Sequence, residues 1–343
     1  MKSEDLLKAL NDLDDDIVLD AKKETPKRKF NSRRFLAVLT AAVIASTMIL
    51  TAVAAITEAG WFRNFFSIQS EQSLSEGQAD YIGQRTEDIA QSVTIDGYTL
   101  TVESAIADQY TAYIKLKLQA PPGEILDAES YLAGIPDQEN LETEKSLTRA
   151  DGRNIAYGAS MRPLDDGDPK DGSFSILEVF TLFSNTETTF DEEGVWKLHY
   201  RNFDACYDSG EIKTVMEGSI DFDIEFTKIS NAEVAVITEP VPYSFKTYRD
   251  HDAYLAGDPD YTEGFITSLT LRTMSATMTV EGGNEAVGFL EIPIVMKDGS
   301  QVKMQARSFG TGTYIYSFQA PIVMDEADHI LLEDGTKLYL PEN

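Results

Sequence analysis

SIDFDIEF, residues 219–226, alternates without a break. Ile220, Phe222, Ile224 and Phe226 fall on one side of an extended chain, and Asp221, Asp223 and Glu225 on the other. Successive side chains of a strand point to opposite faces. A period of two with one polar face therefore describes a half-buried antiparallel strand. The pattern recurs outward from there. GVWKLHYRN (194–202) sets Trp196, Leu198 and Tyr200 inside and His199 outside. TAYIKLKLQA (111–120) sets Ile114, Leu116 and Leu118 on one face and Tyr113, Lys115 and Lys117 on the other.

Turn signals separate such runs. Asp96-Gly97, Asp298-Gly299 and Asp334-Gly335 each predict a hairpin turn. Short strands with recurring turns predict a mainly β chain of antiparallel β-sandwiches, Ig-like in architecture. FDIEFTKI closes one set of strands and AEVAVITE opens another, which places a boundary near Ser230-Asn231. The expectation is two sandwich domains, 92–230 and 231–343, with one larger elongated β-domain as the alternative. Upstream, EQSLSEGQADYIGQRTEDIAQ (71–91) predicts a short helix with Leu74, Ile82 and Ile89 inward. Residues 58–91 then read as a juxtamembrane helical linker.

The linker would follow a membrane segment. From Phe35 to Thr57 the chain carries no charge. A helix of that length spans about 30 Å of hydrocarbon, at about 1.5 Å per residue. A signal-peptide core is shorter, about 7–15 residues. Ala52-Val53-Ala54 does match the small-x-small pattern of a cleavage site, so a removed signal remains the competing reading. The length favours a retained anchor over 35–57. Lys22, Lys23, Lys27, Arg28, Lys29, Arg33 and Arg34 precede the span, and only Arg63 lies close behind it. The positive-inside rule then puts the N-terminus in the cytoplasm and residues 58–343 outside. Trp61, Phe62, Phe65 and Phe66 suit either an interfacial aromatic belt or the core of the following domain.

On the cytoplasmic side, residues 1–34, Leu6, Leu10, Leu13 and Ile17 are spaced as one helical stripe. Ser3 is placed to cap that helix, and Pro26 blocks its continuation. A lone helix of about 18 residues is marginal in water and cannot cover its own stripe. The expected cover is a cytoplasmic protein that takes the helix in a groove.

Composition narrows the chemistry. The 343 residues carry a formal charge of −29. Basic and acidic residues nearly cancel in 1–34, so the charge sits on the outer part. Such a part is repelled by phosphate backbones, which argues against direct nucleic-acid binding. One cysteine, Cys206, makes no intramolecular disulfide. His199, His251 and His329 form no HExxH pair, and no GxSxG or phosphate-binding loop occurs. Two acidic loops, PLDDGDPKDG and YRDHDAYLAGDPDYTEG, offer oxygens for calcium without EF-hand spacing. The expectation is a protein without enzymatic activity, cofactor or metal.

Three stretches carry a family resemblance. They are LLKALNDLDDDIVLDA (6–21) with the basic run behind it, SVTIDGYTLTVESAIADQYTAYIKLKLQAP (92–121) and PIVMDEADHILLEDGTKLYLP (321–341). In this order, around one span, they resemble bacterial, mostly clostridial, single-pass membrane proteins with an outer domain of unknown function. Such proteins are described as anti-sigma factors. The resemblance implies that the cytoplasmic segment holds an extracytoplasmic-function sigma factor while the outer part senses or binds. The chain lacks the His/Cys cluster of zinc-binding anti-sigma factors. The alternative is a membrane-anchored surface module, for binding or structure, without a cytoplasmic partner.

Overall fold

A computed structural model describes residues 58–133, 145–153, 155–164, 171–183, 186, 188–230, 232–247, 256–257, 260–282, 291–309 and 312–341. The predicted helix 1–34, with Leu6, Leu10, Leu13 and Ile17, and the predicted span 35–57 lie outside the described residues. So do Asp165, Asp166, Asp168, Asp250, His251, Asp252 and Asp258. Among the described residues no helix is long and apolar enough to cross a membrane.

Among the described residues two helical stretches come first, α1 (58–70) and α2 (Glu76–Arg85). The rest is mainly β and antiparallel. A first group holds β1 (Glu87–Ile95), β2 (Tyr98–Ala107), β3 (Thr111–Gln119), β4 (Ser130–Ala133) and β5 (Lys145–Arg149). It continues with β6 (Tyr157–Leu164), β7 (Ser173–Leu182), β8 (Trp196–Cys206) and β9 (Ile212–Ile224). A second group holds β10 (Glu233–Ile237), β11 (Val241–Thr247), β12 (Asp260–Arg272), β13 (Ser275–Glu281) and β14 (Glu291–Met296). It ends with β15 (Gln301–Phe309), β16 (Thr313–Phe318), β17 (Ala327–Leu331) and β18 (Lys337–Tyr339).

The first group makes two facing sheets. One has the order β1-β2-β3-β7-β6. In the other, β4 and β5 pair with successive halves of β8, and β9 pairs with β8 as well. The layers close over an apolar core that includes Leu100, Leu116, Phe180, Trp196, Leu198 and Phe222. Ile220 and Ile224 are fully buried, while Asp221, Asp223 and Glu225 are exposed, as the alternation requires. The second group makes one nine-stranded sheet. β10 and β11 pair with successive halves of β12, and the sheet curls until β18 meets β10. All described residues fall within one compact unit, Thr51–Asn343.

The three Asp-Gly pairs occupy the β1–β2, β14–β15 and β17–β18 turns. Asp96 and Gly97 both take left-handed backbone, with φ of 53° and 86°. That conformation matches the twist of the flanking strands and suits glycine at the second position. At the other two turns the aspartate carboxylate accepts the N–H two residues on, Ser300 at 2.8 Å and Thr336 at 2.8 Å.

Two expectations are corrected. The helix expected over 71–91 ends at Arg85, and β1 starts at Glu87. The reason lies at Thr86, which turns to extended backbone while its hydroxyl closes on the Ile82 carbonyl at 2.8 Å. Beyond it β1 pairs with β2, broken by a bulge between Asp88 and Gln91 with Ala90 at φ 51°. The Gln91 carboxamide then bonds both the N–H and the carbonyl of Asp223 on β9, joining the two sheets at that edge. The second correction concerns β3. Its expected polar face is not solvated, since Tyr113 and Lys115 are buried. Tyr113 shares a core with Phe62, Leu177, Val179 and the nine-stranded sheet.

One charge enters the sandwich core itself. Glu178 on β7 is fully buried and accepts from Lys145 Nζ and Tyr200 Oη, both at 2.5 Å, across the sheets. Burial pushes its carboxyl above the usual range, against the pull of Lys145. Glu178→Ala should cost about 2–3 kcal/mol, because it leaves the buried Tyr200 hydroxyl without its acceptor and the part-buried Lys145 ammonium without its counter-charge. In the same denaturation series Phe222→Asp should cost about 4 kcal/mol or more, and Asp223→Asn no more than about 0.5 kcal/mol. Equal losses at 222 and 223 would contradict the assigned faces.

Candidate functional site

The site that organises this molecule is the seat of α1. Ala59, Phe62 and Phe66 repeat at spacings of three and four and form one buried face. They lie against the outer side of the β2-β3-β7 layer, where Ile106, Tyr113, Leu177 and Val179 meet the core of the nine-stranded sheet. Phe66 meets the Tyr113 ring edge-on at 5.2 Å, and the Tyr113 hydroxyl donates to the Phe318 carbonyl at 3.2 Å. Trp61 and Phe65 are half-buried and stack on each other at 5.6 Å. Of the two readings of this aromatic cluster, core packing is the one that Phe62 and Phe66 adopt.

Charge ties residue 58 to the sheet. Lys115 Nζ lies 2.9 Å from Glu58 and 2.8 Å from Glu103, and 5.1 Å over the Trp61 ring. The buried Ser104 hydroxyl donates at 2.8 Å to the same Glu58 oxygen that Lys115 approaches at 2.9 Å. One buried cation thus joins Glu58 of α1 to β2 and β3. At the other end Glu71 takes left-handed backbone, φ 56°, and the N–H groups of Glu71 and Gln72 close on Ile68 and Ser67. This is the Schellman arrangement, which stops the helix.

α2 is locked beside it. Arg63 Nε donates to the Ala79 carbonyl at 2.9 Å, and its guanidinium runs over Gly83, where an added Cβ would lie 2.7 Å from it. Ser75 and Gln78 form a capping box. Ser75 also donates to Glu326 at 2.6 Å, and Gln78 to the Pro321 carbonyl at 2.6 Å. The Glu326 carboxylate sits where a Cβ on Gly77 would be, at 2.3 Å. At the far end Arg85 donates to the Lys228 carbonyl at 3.0 Å, and Glu87 accepts from the N–H groups of Thr227 and Lys228. The helix pair therefore grips the segment that leads from β9 to β10.

A second join lies at the turns. Asp108, in the β2–β3 turn, is buried and carries four hydrogen bonds. One oxygen accepts from the Tyr110 and Thr111 N–H groups at 3.0 and 2.9 Å. The other accepts from the Met274 N–H at 3.0 Å and the Ser275 hydroxyl at 2.6 Å. Burial pushes its carboxyl up, and these four donors pull it down. Beside it Arg272 stacks over Tyr110 at 4.6 Å and donates to Gln109 at 2.6 Å.

A cleft of about 480 Å³ opens along the α1–α2 loop, facing the β14–β15 turn. Its polar lining is largely engaged within the protein. Gln72 donates to the Gln301 carbonyl, Lys297 to the Asp325 carbonyl, and Asp298 holds Ser300. Among the described residues no three His, Cys, Asp or Glu side chains gather as a metal site. His199 pairs with Asp221 at 2.8 Å and His329 with Asp328 at 2.7 Å, on separate sheets. Cys206 is a half-buried free thiol. Asp171 folds back on Ser173 N–H at 2.6 Å, and Asp260 and Glu263 are exposed on β12. None of these residues was brought to the α1 seat. Glu58, Glu103 and Asp108 were not singled out from the sequence; Lys115 was placed on the polar face, and its signal was a charge on a strand predicted to be half-buried.

No family model and no curated protein matches the chain. Among solved structures it is similar to a conserved domain protein from Bacillus anthracis, 8% identical, TM-score 0.44, over 71% of this chain and 75% of that one. It is also similar to residues 217–571 of TarS from S. aureus, 7% identical, TM-score 0.19, over 77% of this chain and 74% of that one. Likenesses at these scores leave the function to the chain's own residues.

Two substitutions probe these joins. Asp108→Asn should destabilise by about 2–3 kcal/mol, since an amide cannot accept all four hydrogen bonds and leaves buried donors unpaired. Gly77→Ala should lower the melting temperature in the wild type, because it displaces Glu326. In a Glu326→Ala background the loss should shrink, because only the Val323 methyl group, 3.2 Å from the added Cβ, then opposes the up to about 1 kcal/mol by which alanine favours the helix over glycine. An equal loss in both backgrounds would show that Glu326 does not occupy that space.

Proposed function

We propose that the chain is a single-pass membrane regulator of the anti-sigma type. In this reading residues 1–34 lie in the cytoplasm, 35–57 cross the membrane, and 58–343 stand outside. The helix stripe Leu6, Leu10, Leu13 and Ile17 holds a cytoplasmic protein, for which an extracytoplasmic-function sigma factor is the candidate. The outer β part senses or binds.

The supporting observation is the seat of α1. The charge-free run ends at Thr57, and Glu58 is the first residue of the described helix that is built into the core. A module that only needed tethering would be served by a soluble, variable spacer at this point. Here Ala59, Phe62 and Phe66, close behind the predicted span, are instead buried in the outer part. A change in the β sheets therefore bears directly on the chain at the membrane face.

Topology and partner are tested separately. Protease added to intact protoplasts should remove the outer part and leave a small membrane-bound N-terminal fragment. Release of a chain with a new N-terminus near Ala55 would mean a cleaved signal peptide and end the regulator reading. For the partner, the membrane-embedded full chain is compared with its Leu10→Asp/Leu13→Asp form in a pull-down from cell extract. Burying one leucine is worth about 1.5–3 kcal/mol, so the double change should weaken a groove contact at least about a hundredfold. Retention of a sigma factor by the wild type alone supports the reading. Equal retention by both forms, or none by either, leaves the surface-module alternative.

A further inference from the structure

The loop between β7 and β8 and the chain leaving β9 border one cavity of about 480 Å³. Asp191 and Glu193 line it from the loop, and Glu225, Phe226 and Ile229 from the chain beyond β9. That volume suits a small organic ligand, whose sites run from about 300 to 1,000 Å³. Every ionisable side chain on the lining is a carboxylate. The basic side chains nearby are spent on the backbone. Arg149 donates to the Glu192 and Glu193 carbonyls at 2.9 and 2.6 Å. Arg85 donates to the Lys228 carbonyl at 3.0 Å, and Lys228 to the Thr86 carbonyl at 2.6 Å. Among the described residues no ion pair reaches Asp191, Glu193 or Glu225. Asp191 is the least exposed of the three. Its Oδ2 accepts from Gln109 at 3.1 Å, while its Oδ1 is buried and has no donor among the described residues. A buried carboxylate oxygen without a donor is costly, so this wall of the cavity lacks a hydrogen-bond donor and a positive charge.

We propose that this cavity binds an organic cation of the alkylguanidinium or alkylammonium class, its head among Asp191, Glu193 and Glu225 and its stem against Phe226 and Ile229. The carboxylates repel anions. Among the described residues no three of them gather closely enough to hold a metal ion, so the charge is spread as a larger cation needs. Phe226 meets Phe190 edge-on at 5.2 Å, and Phe190 packs on the fully buried Trp196 at 4.6 Å. The ring is therefore a fixed wall, and an aromatic wall suits both an alkyl stem and a positive head. The site gives a ligand class to the binding role of the outer part and rests on that reading for any use in signalling. Its position fits such a use, because α2 grips the same 227–229 segment through Arg85 and Glu87. The same head group occurs in free amines and in the lysine and arginine side chains of other proteins, and the test separates the two.

The test is calorimetric titration of the full-length chain in a zwitterionic detergent at low salt. The probe is n-butylguanidinium, and n-butylurea is its uncharged isostere. The probe should saturate a single site per chain, and butylurea should not bind. Glu193→Gln/Glu225→Gln alters exposed side chains, so it should keep the melting temperature. It should weaken the probe at least about tenfold, the effect of losing one charge-assisted hydrogen bond. Glu263→Gln/Glu281→Gln, exposed on the nine-stranded sheet, should leave the affinity unchanged, which separates the site from general attraction to an acidic chain. The blocked peptide acetyl-Gly-Gly-Arg-Gly-Gly-amide is titrated alongside. Binding of peptide and probe assigns the site to a protein side chain, and binding of the probe alone assigns it to a free cation. No binding of the probe, equal binding of butylurea, or equal affinities in the two double variants overturns the site. Displacement of the probe by micromolar calcium overturns the organic-cation class. The titration reads the outer part alone, so a protoplast result that ends the regulator reading leaves it standing or falling by itself.

Discussion

The structure depends on one layer being buried twice. The β2-β3-β7 layer has apolar residues on both faces. Its inner face, with Ile114, Leu116 and Phe180, closes the sandwich against β8 and β9. Its outer face, with Tyr113, Leu177 and Val179, closes against α1 and the nine-stranded sheet. A sheet covered on both sides cannot tolerate an unpaired charge, and Lys115 is admitted only between Glu58 and Glu103. The helix thus answers two needs of the layer at once, apolar cover and a counter-charge.

The remaining joins between the two strand groups follow from this placement. Once α1 fills the gap, α2 lies along it and reaches the 227–229 segment through Arg85 and Glu87. At the opposite end of the layer, Asp108 ties the β2–β3 turn to Met274 and Ser275. Hydrogen bonds of this kind add specificity more than gross stability, since each is exchanged for one with water. Apolar burial supplies the larger part, and the hydrogen bonds fix the register in which the groups meet.

Much of the fold was legible in the sequence, for physical reasons that also mark where legibility ended. Strand faces at 196–200 and 220–226 could be read because water on one side and a core on the other impose a period of two. The Asp-Gly turns could be read because few dipeptides accept their backbone angles. The α1 seat could not be settled, because Trp61, Phe62, Phe65 and Phe66 satisfy a headgroup layer and a protein core equally. Lys115 and Lys117 look the same on paper. Only the arrival of Glu58, nearly sixty residues earlier, makes one of them buried. Asp108 escaped for a similar reason, since its partners Met274 and Ser275 come from the far strand group and leave no local pattern. The start of β1 was hidden by the bulge at Ala90, which breaks the alternation at the point where the helix hands over to the strand.

The central claim is that α1 and the doubly covered layer make the two strand groups one cooperative body. Calorimetry of the full-length chain tests it most directly, with near-ultraviolet circular dichroism recorded over the same temperatures. A shared core predicts a single transition for the β part, with calorimetric and van't Hoff enthalpies in agreement and the spectroscopic midpoint coincident with the calorimetric one. Two separated transitions, one for the sandwich and one for the nine-stranded sheet, would contradict it.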